Sequence, residues 1–245
     1  MGNPFKYGDI AYQDMQLVNR KDMSDMSVDP IAWGKMAETL QLIPISVSEC
    51  KFVCKTLPIV FSPADKPMPI AITGFSPQKN TLVKQGRWKN NHYIPLAAKR
   101  YPFALAQINE EEKQLLYVDA KAIKNNKSTD SADYRLFDEK GENTETLNQA
   151  IKQCKIFDEQ IQATSTIVQT IDAIGLFKET QLIITDKDGV ERKTSPFKII
   201  DVEKLTQLSD ENIVKLQKCR GLWLIDAHII SMTNIESIAQ QSLSL

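Results

Sequence analysis

The feature that most constrains this 245-residue chain is a run of apolar residues at helical spacing in its second half. Behind Gly141, with Thr144 or Asn143 placed to cap, Leu147, Ala150, Cys154, Phe157, Ile161, Thr164, Val168 and Ile171 follow at intervals of three and four. Only Thr164 interrupts the apolar stripe. Carried to Phe177 at about 1.5 Å per residue, a helix over 144–177 is about 50 Å long, more than a gyration radius of about 18 Å readily encloses. It must bend, break or protrude. Residues 163–166 concentrate weak helix formers, and a break is expected there. Packing over a sheet is the expected fate of this helix. A homodimer through it is the rival arrangement, although complementary charges do not flank the stripe.

The preceding half reads differently. Ser46 and Glu49 form a capping-box pair opening a helix over about 46–56. Short runs rich in β-branched and aromatic residues follow, at Pro58–Phe61, Ile70–Phe75, Thr81–Val83, Phe103–Ala106 and Leu115–Val118, separated by Pro, Gly and Asn. That pattern is a mostly antiparallel meander. Residues 1–37 show no sustained period, and an irregular arm is expected. Residues 121–133 are polar and suggest a mobile loop. Beyond the long helix, strands at 181–185 and from 190 flank the Asp188-Gly189 turn, and Phe197–Ile200 forms another. Helices over 201–207 and 209–219, a strand over 221–230 and a helix capped by Thr233 or Asn234 complete the chain. The expected fold is α+β, with an arm over 1–37 and one domain over 38–245.

Chemistry is harder to find. The chain has no GxGxxG, GxxxxGK[ST] or GxSxG motif, and only His92 and His228. No cofactor or metal is therefore expected. Cys50, Cys54, Cys154 and Cys219 form no CxxC pair; Cys50 and Cys54, four apart, read as core thiols or as half a metal site. No apolar run of about 18 residues suggests a membrane span. Residues 1–9 lack a secretory pattern, so a cytoplasmic location is expected. Asp226 and His228 would share a face of a strand over 221–230, which makes them either a polar pair at an edge or an acid/base pair.

Charge is the anomaly. No Asp or Glu occurs over 66–109, whereas Lys66, Lys79, Lys84, Arg87, Lys89, Lys99 and Arg100 give this stretch +7. The rest of the chain holds 23 basic and 31 acidic residues, a balance of −8. Phe75, Trp88, His92, Tyr93, Tyr101 and Phe103 lie among those cations. Such a tract either faces outward to receive an anionic protein or saccharide, or docks on the chain's own acids. Its aromatic residues form a recognition surface in the first case and a core corner in the second. Specific nucleic-acid binding is not expected at a pI of about 6.2 with no recognition motif.

Gly86-Arg87-Trp88, Tyr93-Ile94-Pro95 and Lys99-Arg100-Tyr101-Pro102-Phe103, preceded by Pro58–Phe61 and Gly74-Phe75 with Asn80, resemble the SapC family over roughly residues 40–240. Leu136-Phe137-Asp138 and Phe197–Asp201 resemble its later blocks. The family's doubled Arg is Lys99-Arg100 here. The resemblance implies a role in transport or assembly of surface-layer proteins and carries over no catalytic residues. The expectation is thus a non-catalytic accessory protein that binds an anionic partner through the 66–103 segment, with Trp88, Tyr93, Lys99, Arg100 and Tyr101 in contact. The alternative is an enzyme or enzyme subunit acting on a peptide or saccharide, with Asp226, His228, Tyr93 and Arg100 as candidates.

Overall fold

A computed structural model describes residues 12–76, 78–106, 114–125, 134–185, 189 and 191–243. The expected irregular arm is, where described, regular: β1 (Met15–Leu17), α1 (Arg20–Met23), β2 (Met26–Val28) and α2 (Pro30–Thr39). Its elements are short and capped by single side chains, Asn19 for α1 and Asp29 for α2, and each is completed by distant partners rather than by local period. β1 pairs with β9 (Leu115–Asp119), and β2 with β10 (Ile123–Asn125). β10 occupies part of the expected loop over 121–133, where the backbone of Ile123–Asn125 finds this ladder. Residues 126–133 lie outside the described residues.

After β3 (Leu42–Pro44), the Ser46/Glu49 capping box is formed and opens a 3-10 turn that leads into α3 (Cys50–Val53). β4 (Ile59–Phe61) and β5 (Pro69–Ile72) follow, then the hairpin β6 (Val83–Lys84) and β7 (Arg87–Trp88), α4 (Leu96–Lys99) and β8 (Phe103–Ala106). β8, β9 and β1 form a three-stranded antiparallel sheet. β11 (Phe177–Thr180), β14 (Phe197–Ile200), β4, β5 and β3 form a five-stranded one, also antiparallel. β12 (Ile183–Thr185) pairs with β13 (Glu191–Lys193) across the expected turn, most of which lies outside the described residues.

The long helix α5 runs unbroken over Glu145–Ala173, capped by Thr144, whose hydroxyl accepts the Leu147 N–H at 3.3 Å. The expected break at 163–166 is absent. Thr164 is buried there; its hydroxyl donates to the Gln160 carbonyl at 2.7 Å and accepts the Val47 N–H at 2.9 Å. Tertiary bonding thus offsets weak local propensity. The helix stops short of Phe177 because Gly175 turns the chain at φ +79°. Its length is used by two cores. Leu147, Ala150 and Cys154 pack with Phe103, Val118 and Leu136 of the three-stranded side; Phe157, Val168 and Ile171 pack with Ile43, Ile59 and Phe61 of the five-stranded side. The outward face carries Lys152, Lys155, Glu159, Gln162, Thr166 and Gln169, so it offers a second copy little apolar area.

α6 (Val202–Thr206) and α7 (Asp210–Cys219) lie where the caps Asp201 and Ser209 place them. Residues 221–230 are helix, not strand: α8 (Gly221–Ser231) starts directly after Arg220 closes α7 in the left-handed region, at φ 65°. The run is apolar on almost every side, so no periodicity distinguishes the two structures. α9 (Ile235–Leu243) follows a 3-10 turn. Among the described residues, no helix is long and apolar enough to cross a membrane.

Candidate functional site

The 66–103 segment divides into a buried corner and an exposed hairpin. At the corner, Arg100 is 1% exposed. Its guanidinium carbon lies 4.1 Å from the centre of the Phe157 ring, and Nη1 stands 3.9 Å from Asp158 Oδ1. Burial pushes the Asp158 carboxyl up, with Arg100 opposing. Trp88 is also buried, in the main core. Tyr93 is half-buried: it stacks on Phe52 at 5.0 Å, and its hydroxyl donates to the Glu49 carboxylate. Burial first, then Glu49, pushes that phenol up. Glu49 is itself buried; Oε1 accepts the Leu96 N–H at 2.7 Å, and Oε2 accepts the Ser46 N–H at 2.8 Å. One carboxylate thereby joins the capping box to α4. Tyr101 stacks on Tyr12 at 5.8 Å and points its hydroxyl at buried Asp119, 3.5 Å away; burial and Asp119 push this phenol up as well.

The expectation that Trp88, Tyr93, Lys99, Arg100 and Tyr101 form one outward surface is therefore corrected. Trp88 and Arg100 are inside, Tyr93 and Tyr101 are held by Glu49 and Asp119, and Lys99 alone of the five is exposed, with Nζ 4.7 Å from the Tyr93 ring centre. A guanidinium and two phenols that would be costly to bury alone find carboxylates of the same chain.

The acid/base pair is corrected too. On α8, Asp226 and His228 are about 200° apart around the axis; Asp226 is exposed and His228 is 2% exposed. His228 Nδ1 donates to the Ile59 carbonyl at 2.6 Å, and Nε2 accepts the Ile200 N–H at 3.2 Å, a tautomer assigned from these bonds. Burial pulls its pKa below the ordinary value, with the bond to Ile59 opposing. Both ring nitrogens are committed to backbone, between strands β4 and β14 that share only the Lys198–Phe61 pair. Among the described residues, no group of three or more His, Cys, Asp and Glu could hold a metal ion.

What the segment exposes is its hairpin. Gln85 and Gly86 have φ of 51° and 71°, the two positive values of a tight primed turn. Gly86 lies directly on Gly34 of α2: a Cβ on Gly34 would stand 2.7 Å from the Gly86 Cα, so side chains are excluded from this contact. Glu38 Oε1 accepts the Gly86 N–H at 2.6 Å. So anchored, the hairpin walls a groove of about 830 Å³ whose opposite wall is the polar face of α9, with Ser237, Gln240 and Gln241. Among the described residues, Lys79, Lys84 and Lys89 line it against one acid, Glu38. Lys89 Nζ donates to Gln241 Oε1 at 3.0 Å. Sequence reasoning located these lysines but not the α9 wall, which is about 150 positions away and carries no charge signal.

A family model described as SapC matches residues 18–238. No curated protein and no solved structure matches the chain.

Proposed function

From the SapC family, to which this chain belongs over residues 18–238, we propose for it a non-catalytic, accessory role in surface-layer protein export or assembly, holding an anionic partner in the groove beside the hairpin. One observation carries this: three lysines line a polar groove in whose described lining the single carboxylate already accepts the Gly86 N–H. The groove's charge is thus local, on a chain with formal net charge −1. The mode of capture is electrostatic and screened by salt, since the Debye length falls from about 10 Å at 0.1 M to about 3 Å at 1 M.

The test uses that contrast. A near-neutral protein with a cationic groove is retained at neutral pH and low ionic strength by a carboxylate-bearing matrix and released by salt. Lys84→Glu/Lys89→Glu is expected to abolish retention while leaving the thermal melt unchanged. Flow-through of the parent chain, or elution of both chains at the same salt, would remove the groove from consideration. Co-purification with a surface-layer protein from native cells tests the export role.

A further inference from the structure

The five-stranded sheet is apolar on both faces. Ile59 and Phe61 of β4 belong to the main core, and by the alternation of a strand Val60 between them faces the other way. There it meets Ile70 and Ile72 of β5 and Phe197 of β14 in a second, smaller cluster, with Leu42 of β3 and Phe75 packed against it. A cavity of about 230 Å³ lies over this face, lined on one side by Thr194–Pro196, the link from β13 to β14. Its lining crosses four adjacent strands, from Phe197 through Val60 and Ile70 to Leu42. Three gaps of about 4.8 Å make it about 14 Å long. Spread over that length, 230 Å³ leaves a mean cross-section of about 16 Å². The cavity is a slim furrow across the strands, and it shares no lining residue with the lysine groove.

We infer that this furrow is a binding site for a medium-chain alkyl carboxylate, its tail along the sheet and its head group at Lys193. The walls select the tail. Leu42, Val60, Ile70, Ile72, Phe75 and Phe197 offer hydrocarbon along the length of the furrow, and apolar lining with a few placed polar groups is the ordinary character of a small-molecule site. Three of the polar side chains beside them are already bonded within the protein. Ser62 Oγ accepts the Met68 N–H at 3.0 Å, Thr194 Oγ1 accepts the Leu182 N–H at 3.0 Å, and Gln41 Nε2 donates to the Ser76 carbonyl at 2.6 Å. Charge selects the head. Lys193, exposed and joined to β14 through Thr194–Pro196, is the one charged residue in the described lining, so an anion at that end is attracted and a cation repelled.

Calorimetric titration of the full chain with straight-chain carboxylates, each kept below its micelle concentration, tests this. Each added methylene that enters the furrow is expected to tighten binding about fourfold from hexanoate to decanoate. At about 1.2 Å per bond of an extended chain, 14 Å takes about twelve carbons, so tetradecanoate should gain nothing over dodecanoate. 1-Decanol with the parent chain, and decanoate with Lys193→Gln, should each bind about threefold more weakly, the scale of an exposed ion pair. Leu42→Trp, which fills one end, should cost decanoate at least tenfold, and a thermal melt shows that each variant is folded. Lys84→Gln/Lys89→Gln should leave decanoate unchanged. Absence of decanoate binding, or affinity that keeps rising to tetradecanoate, overturns the furrow. Decanol binding as tightly as decanoate overturns the anionic head group, and loss of decanoate binding in Lys84→Gln/Lys89→Gln places the ligand in the lysine groove and overturns the site.

Discussion

Replacing His228 measures how much a single ring contributes to joining the five-stranded sheet. Its two nitrogens satisfy the Ile59 carbonyl and the Ile200 N–H at 2% exposure. His228→Leu keeps an apolar body on α8 but leaves one buried acceptor and one buried donor without partners. At about 1–3 kcal/mol for each orphaned group, the expected loss is about 4 kcal/mol. That is a large share of the 5–15 kcal/mol typical of a domain. The assay is urea denaturation followed by intrinsic fluorescence, comparing midpoints at pH 8 and pH 5.5. The pH arm follows from the depressed pKa of His228. The unfolded chain takes up the proton near the ordinary value of about 6.5, while the folded chain resists it. Unfolding therefore binds protons, and the stability present above about pH 6.5 is lost as pH falls, at up to about 1.4 kcal/mol per pH unit. The Leu variant lacks this component. A variant within about 1 kcal/mol of its parent at pH 8, or one with the parent's full acid sensitivity, would refute the bridging role.

Two further outcomes are expected. In the folded chain, Cys54 and Cys219 react with a disulfide reagent, whereas Cys50, pushed up by burial and Glu49, and Cys154, pushed up to about 12 chiefly by burial, react only on unfolding; four equally fast native thiols would contradict the packing. Gly34→Ala sets a methyl against the Gly86 backbone and is expected to cost about 1–3 kcal/mol in a urea midpoint and to lower retention on the carboxylate matrix; a neutral result would show that the hairpin does not rest on α2.

Much of the architecture was readable where a local rule and the tertiary structure agree. The Ser46/Glu49 box, the Thr144 cap and the stripe from Leu147 to Ile171 are local patterns that packing reinforces. α8 was misread because a helix apolar on nearly every side has no period to detect. Thr164 was misjudged because its partner, the Val47 N–H, lies 117 positions away. The site shows the same limit. Lys99 and Arg100 are adjacent and equally charged, and only the end of α4 sends one to solvent and the other onto Phe157. Glu38 and the α9 wall lie outside the carboxylate-free stretch, so their approach to Lys79, Lys84 and Lys89 depends on tertiary structure and is invisible in composition.

The backbone contact between Gly34 and Gly86, with the Glu38 carboxylate on the Gly86 N–H, makes the hairpin's seat independent of its own basic side chains. Lys84 and Arg87 ride on a frame whose dimensions are set without them. The charge that Lys84 brings to the groove can therefore be changed while the wall stays put, and differences among charge variants there report on coulombic attraction rather than on a displaced wall.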